Sequence, residues 1–97
     1  MDYHLAERLR DPGFPQSGAG RHIGAPIAVV WRARDLVYAP ALEELIAACG
    51  DQFGEMARRP DGSFEATACG GSLKQTGNSP TDAVARLWLT INGVREG

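Results

Sequence analysis

Val84, Leu87, Trp88 and Ile91 recur at i, i+3, i+4 and i+7, and Leu42, Leu45, Ile46 and Cys49 repeat the same spacing. Each set forms one apolar stripe of a helix. Start and stop signals bracket both. Ser79 is an N-cap whose hydroxyl accepts from an unpartnered first-turn N–H, Pro80 suits the first helical position, and Asp82 suits the positive end of the helix dipole. Asn92-Gly93 supplies the stop. The earlier helix opens at Pro40, carries Glu43 and Glu44 in its first turns and ends at Gly50. Between the helices, Phe53–Arg59 and Ser63–Cys69 flank Pro60-Asp61-Gly62. Proline presets φ and glycine accepts a positive φ, so this segment predicts a β-hairpin. Phe64, Ala66 and Ala68 share one face of its second strand, opposite Ser63, Glu65 and Thr67. The loop from Gly70 to Asn78 has room for a short third strand at Ser72–Gln75.

The front third is less regular. Asp2 caps a short helix over Tyr3–Arg10 that turns Leu5, Ala6 and Leu9 inward and is stopped by Asp11-Pro12-Gly13. Ser17 to Gly24 reads as a flexible loop. Its Gly18-Ala19-Gly20 is not a phosphate loop: no strand precedes it, the third glycine is misplaced, and no Gly-Lys-Ser/Thr follows. Ile27–Arg32 is rich in β-branched residues and reads as a strand with two apolar faces. Leu36-Val37-Tyr38 is either its hairpin partner across Ala33-Arg34-Asp35 or a continuation into the next helix.

These elements define an α+β fold. It is a single small domain over 1–97, with an N-terminal helix, glycine-rich loop and strand over 1–38. An α-β-β-(β)-α core follows over 39–97, its helices packed on one face of an antiparallel sheet. The length supports one core of this kind. No run of about 18 apolar residues occurs, so no membrane span is expected. The opening Met-Asp-Tyr-His lacks the basic and apolar regions of a secretion signal, so the cytosol is the expected compartment. Cys49 and Cys69 are then expected as reduced thiols rather than a disulfide.

Charge narrows the function classes. The net charge is −2. Residues 1–38 carry five arginines against four acidic groups, whereas 39–97 carry five basic against eight acidic groups, a net of −3. A nucleic-acid binder normally displays a basic face, because phosphate neutralisation supplies most of its affinity. The core offers none, and a composite patch of Arg21, Arg32, Arg34, Arg58 and Arg59 is the alternative that would supply one.

Catalytic chemistry needs a nucleophile or base beside an activator. His4 sits on the terminal helix and His22 in the glycine-rich loop, and neither has a Ser, Cys or carboxylate partner in a local motif. Glu43 and Glu44 are adjacent on a helix and point apart. A Cys49–His22 pair would be needed for a hidden enzyme. No Cys-x-x-Cys occurs, and a zinc site normally takes four ligands. The expectation is therefore a non-enzymatic protein with no cofactor and no metal. Trp88 belongs to a helix stripe and reads as core. Trp31, with Arg32 and Arg34 beside it on a strand end, reads either as core or as a partner-binding surface, since Trp and Arg are common interface anchors. Arg58 and Arg59, at the hairpin end, read as a solvated turn or, as the partner-binding alternative, a contact to an acidic partner.

The segments Tyr3-His4-Leu5-Ala6, Gly13-Phe14-Pro15-Gln16, Tyr38-Ala39-Pro40 with Leu42–Asp51, and Gly77-Asn78-Ser79-Pro80-Thr81-Asp82 with Ala83–Leu89 together resemble a family of small phage and prophage proteins. The resemblance implies a phage-encoded product acting in the cytoplasm of a bacterial host. It implies no activity. This chain departs from the family's usual pattern in a short hairpin without the aromatic often found there, which weighs against binding through the hairpin. The element order is also similar to double-stranded RNA-binding domains and HicB-type antitoxins. The helix start Ser79-Pro80-Thr81-Asp82 is neutral to acidic, which argues against RNA. The expected function is protein–protein binding to a host or phage protein, such as inhibition of a host defence or regulatory complex.

Overall fold

Asp2 Oδ1 accepts from the Leu5 N–H at 2.8 Å and starts helix α1, Tyr3–Arg10, as its position predicts. The computed structural model describes residues 1–16, 18–24 and 36–93. After α1, Gly13 takes φ +103° and turns the chain so that Phe14 N–H donates to Leu9 O at 3.0 Å. That turn seats Phe14 edge-on against Trp88, with ring centroids 5.0 Å apart.

Strand β1 (Arg21–Gly24) pairs antiparallel with β2 (Leu36–Ala39), with Arg21 opposite Ala39 and Gly24 opposite Leu36. This corrects the last four residues of the loop expected over Ser17–Gly24, while Gly18–Gly20 remain irregular. Strand β2 runs on through Pro40 toward the next helix, the second of the two expected arrangements; its expected pairing with Ile27–Arg32 falls outside the described residues. The sequence around Arg21–Gly24 lacks β-branched enrichment, so only pairing to β2 reveals the strand. The strand expected at Ile27–Arg32, with Trp31, Arg32 and Arg34, lies outside the described residues.

Helix α2 covers Leu42–Cys49 and follows Ala41, whose N–H donates to Glu44 Oε1 at 3.1 Å. A single 3₁₀ turn, Gly50–Gln52, leads into β3 (Phe53–Arg58), which pairs with β4 (Phe64–Ala68), and β4 pairs with β5 (Lys74–Gly77). The third strand begins two residues later than expected. The β3–β4 turn follows the Pro-Asp-Gly signal. Gly62 N–H donates to Arg59 O at 3.0 Å, Arg59 N–H donates to Ser63 O at 2.7 Å, and Gly62 has φ +90°. That is a three-residue hairpin loop with a glycine bulge. Helix α3 (Pro80–Ile91) starts on Ser79, whose Oγ accepts from Asp82 N–H at 3.2 Å.

The three-stranded sheet turns Ala66 and Ala68 toward α3, which lies over β4 and β5. Helix α2 packs on α3, and α1 packs on β2 and α3. The main core joins Leu5, Leu9, Phe14, Leu45, Cys49, Ala66, Ala68, Val84, Leu87, Trp88 and Leu89. The stripes of α2 and α3 therefore meet as the spacing predicts, and Trp88 is core. The fold is a single α+β domain, with three α-helices and two antiparallel sheets among the described residues. No described helix is long and apolar enough to cross a membrane.

Candidate functional site

Three places carry the groups singled out above. The first holds the thiols and imidazoles. Cys49 is buried in the core beneath α2, and burial pushes its thiol up to about 11. Cys69 is exposed after β4. His4 is exposed on α1 beside Tyr3, and His22 is exposed on β1 with its ring edge-on to Tyr38 at 5.3 Å. His22 thus meets a phenol ring, while Cys49 meets apolar side chains. Among the described residues, no cluster of three or more His, Cys, Asp or Glu is placed to hold a metal ion. A soluble disulfide reagent at mildly alkaline pH is expected to label Cys69 at once and Cys49 only as fast as the domain opens, because thiolate and access are both required. Equal rates under native conditions would place Cys49 at the surface.

The second place is a polar clasp between β2 and α2. Tyr38 is buried, and its hydroxyl donates to the Glu44 carboxylate, with Oε1 at 2.6 Å and Oε2 at 2.8 Å. The same hydroxyl accepts from Gly20 N–H at 2.8 Å. The Tyr38 bond holds Glu44 below the ordinary carboxylate range against the opposing effect of burial, and backbone N–H groups of Ala41, Gly20 and Ala19 add to it. Burial, then the Glu44 bond, pushes the Tyr38 phenol up. A Cβ at Gly18 would collide with Glu44 Oε2, and one at Gly20 would collide with Ala39 O. The glycines that resemble a phosphate loop instead allow this backbone to close over a carboxylate. Beside the clasp lies a cleft of about 400 Å³, lined by Ala19–Arg21, Ile23, Ala39–Ala41, Thr81 and Met1. Among the described residues its lining contains no thiol, imidazole or carboxylate side chain.

The third place is the outer edge of β3. Arg58 and Arg59 are both exposed there. Arg59 Nη1 donates to Glu65 Oε2 at 2.8 Å across the hairpin, an exposed pair worth about 0.2–1 kcal/mol. Arg58 forms no ion pair among the described residues. Two backbone bonds set the phase of the ladder. Arg59 N–H bonds Ser63 O, and Ala68 N–H bonds Leu73 O at 2.9 Å. Hydrogen-bonded pairs alternate along antiparallel strands. Arg59, Ala57 and Glu55 therefore bond inward to β4, while Met56 and Arg58 aim both backbone groups at the outer edge, which no strand among the described residues pairs with. Beneath them, Phe53, Met56 and Phe64 are only half-buried, because α3 lies over β4 and β5. A bulge between Phe53 and Glu55 limits the edge at one end, and Pro60 limits it at the other.

Of the expected partner-binding residues, the structure thus brings Arg58 and Arg59 to one edge. Arg21 is exposed on the separate two-stranded sheet, and Trp31, Arg32 and Arg34 are outside the described residues. Sequence reasoning missed Tyr38, Glu44, Met56 and the edge itself. Alternation along β4 reveals which face is buried, but not which strand lies outermost. Compared with known proteins, the chain matches no family model, no curated protein and no solved structure.

Proposed function

We propose that this chain works by binding another protein, without bond-making chemistry of its own, and that the β3 edge is the surface it uses. The observation that carries this reading is the paired presentation at Met56 and Arg58. Their backbone groups point outward, above half-buried Phe53 and Met56 and beside exposed arginine. Strand addition uses such a site: the main chain supplies hydrogen bonds, and alternate side chains supply selectivity. Binding is by backbone, so the missing hairpin aromatic is no obstacle. Joined to the resemblance given above, the reading is of a phage or prophage accessory protein in the host cytoplasm. Its partner is a host or phage protein, and inhibition of a host complex is the corresponding action.

The test uses Arg58→Pro. Proline removes an N–H that faces away from β4, so the β3–β4 ladder keeps its bonds and the fold survives, as unchanged far-ultraviolet circular dichroism will verify. Immobilised wild type is expected to retain specific proteins from a bacterial lysate that Arg58→Pro loses. Equal retention by both overturns the assignment to this edge. Retention of nucleic acid that falls steeply with salt would replace it with the phosphate-binding alternative.

A further inference from the structure

We infer that the strand that fits the β3 edge is β3 of a second copy of this chain, so that two three-stranded sheets join across a twofold axis. This rests on the reading of the edge as a protein-binding surface, and it names the strand that occupies the edge when no foreign partner is bound, a weak self-pair that yields to a tighter-binding strand.

The argument is one of register. Only Met56 and Arg58 offer outward backbone groups within the regular part of β3, so an added strand must bond to these two. A second antiparallel β3 does so in three ways. Placing Arg58 against Arg58 of the second copy sets like charges opposite each other. Placing Met56 against Met56 of the second copy leaves Arg58 facing the bulge at Gly54 and Glu55 facing Ala57. Placing Met56 against Arg58 of the second copy, and Arg58 against its Met56, lets both pairs exchange both hydrogen bonds.

The third register also satisfies the side chains. Glu55, Ala57 and Arg59 lie on the face turned away from α3, since Ala57 opposes Glu65 and Glu55 opposes Thr67. In this register Glu55 stands opposite Arg59 of the second copy, and the reverse pair repeats across the axis. Opposite charges facing across strands stabilise a pairing, and like charges destabilise it. Arg59 keeps its bond to Glu65 and gains a second carboxylate. Ala57 meets itself on the axis, where a non-hydrogen-bonded pair brings side chains closest and a small residue fits. On the other face, the aliphatic stem of Arg58 lies over half-buried Met56. The contact is isologous and closed, so it stops at two copies. Glu55, Arg59 and the bulge at Gly54 thus guard the edge against indiscriminate pairing while allowing one register.

The ladder is short, so the association is weak and concentration-dependent. Sedimentation across a concentration series is expected to show wild type passing from 10.4 kDa to twice that mass. Glu55→Lys and Arg59→Glu, each alone, are expected to weaken the dimer by about tenfold, because repulsion appears on both sides of the axis. Mixed together they are expected to associate with each other, since every facing pair is then of opposite sign. A wild type that stays monomeric throughout overturns the inference, as does a mixture no tighter than its components. Dimers undiminished in Arg58→Pro also overturn it. These outcomes are separate from the lysate test. A monomeric wild type whose captured partners are lost in Arg58→Pro defeats self-pairing and leaves the binding edge standing.

Discussion

Trp88→Ala is expected to lower the free energy of unfolding by about 3–5 kcal/mol, a large share of the stability of a domain this size. Trp88 is 8% exposed and sits on the stripe of α3 that faces α2 and the sheet. Truncation removes its apolar contacts and leaves a cavity that rigid neighbours fill only in part. It also ends the edge-to-face contact with Phe14, worth about 0.5–1.5 kcal/mol beyond its area. Phe14 holds the chain after α1 against the core, so the N-terminal helix loosens with it. Urea unfolding followed by circular dichroism checks this, with the midpoint falling by about 1–3 M at an unchanged slope. Ile91→Ala, at the partly exposed end of the same stripe, serves as the comparison and costs less. A loss below about 1 kcal/mol for Trp88→Ala would mean that this ring is not part of the core.

Glu44→Ala is expected to cost about 2–3 kcal/mol, because it strands a buried phenol donor and the Ala41 N–H together. Tyr38→Phe removes one partner and costs less, because the Gly20 N–H still bonds Glu44 and no buried donor is left unpaired. In a double-mutant cycle the two are expected to couple strongly, since each acts through the same bond. The effect depends on pH with a definite sign. The folded carboxyl titrates below its ordinary value of 4.5, so the unfolded chain binds a proton first as pH falls. The contribution of the clasp is therefore full above about 4.5 and is lost as pH drops through the folded value. The stability difference between wild type and Glu44→Gln should shrink over that acidic window. A difference that stays constant there would show that the charge on Glu44 contributes nothing.

The helices were legible because their signals are local. Asp2 and Ser79 cap where their spacing predicts, and the stripes of α2 and α3 meet in one core. The hairpin at Pro60-Asp61-Gly62 was legible for the same reason, since its turn needs only the φ preferences of neighbouring residues. The strand at Arg21–Gly24 was not. Apart from Ile23, its residues have little intrinsic preference for extension, and its order comes from pairing with Leu36–Ala39, more than ten residues away. Lys74–Gly77 begins two residues after the start its own sequence predicts, because its register is set by β4. Arg58 and Arg59 were singled out as charged turn residues. Their position on an outermost strand, with one bonded inward and the other facing out, required the sheet order and the phase of its hydrogen bonds.

The clasp shows the same division in a single feature. Gly18 and Gly20 stand out in the sequence, yet Gly18 is set by the Glu44 carboxylate and the Tyr38 phenol, which arrive from α2 and β2, and Gly20 by the Ala39 backbone carbonyl. By itself, then, the order of side chains determined which segments are helical, where α1 and α3 begin, and which face of each is apolar, because dihedral preference and periodicity act within a few residues. Helix α2, by contrast, begins at Leu42, two residues after the opening expected at Pro40. Tertiary structure alone decided which strand is left at the edge, which backbone groups face outward and which glycines must lack a side chain. Those depend on the pairing and close approach of segments that are distant along the chain.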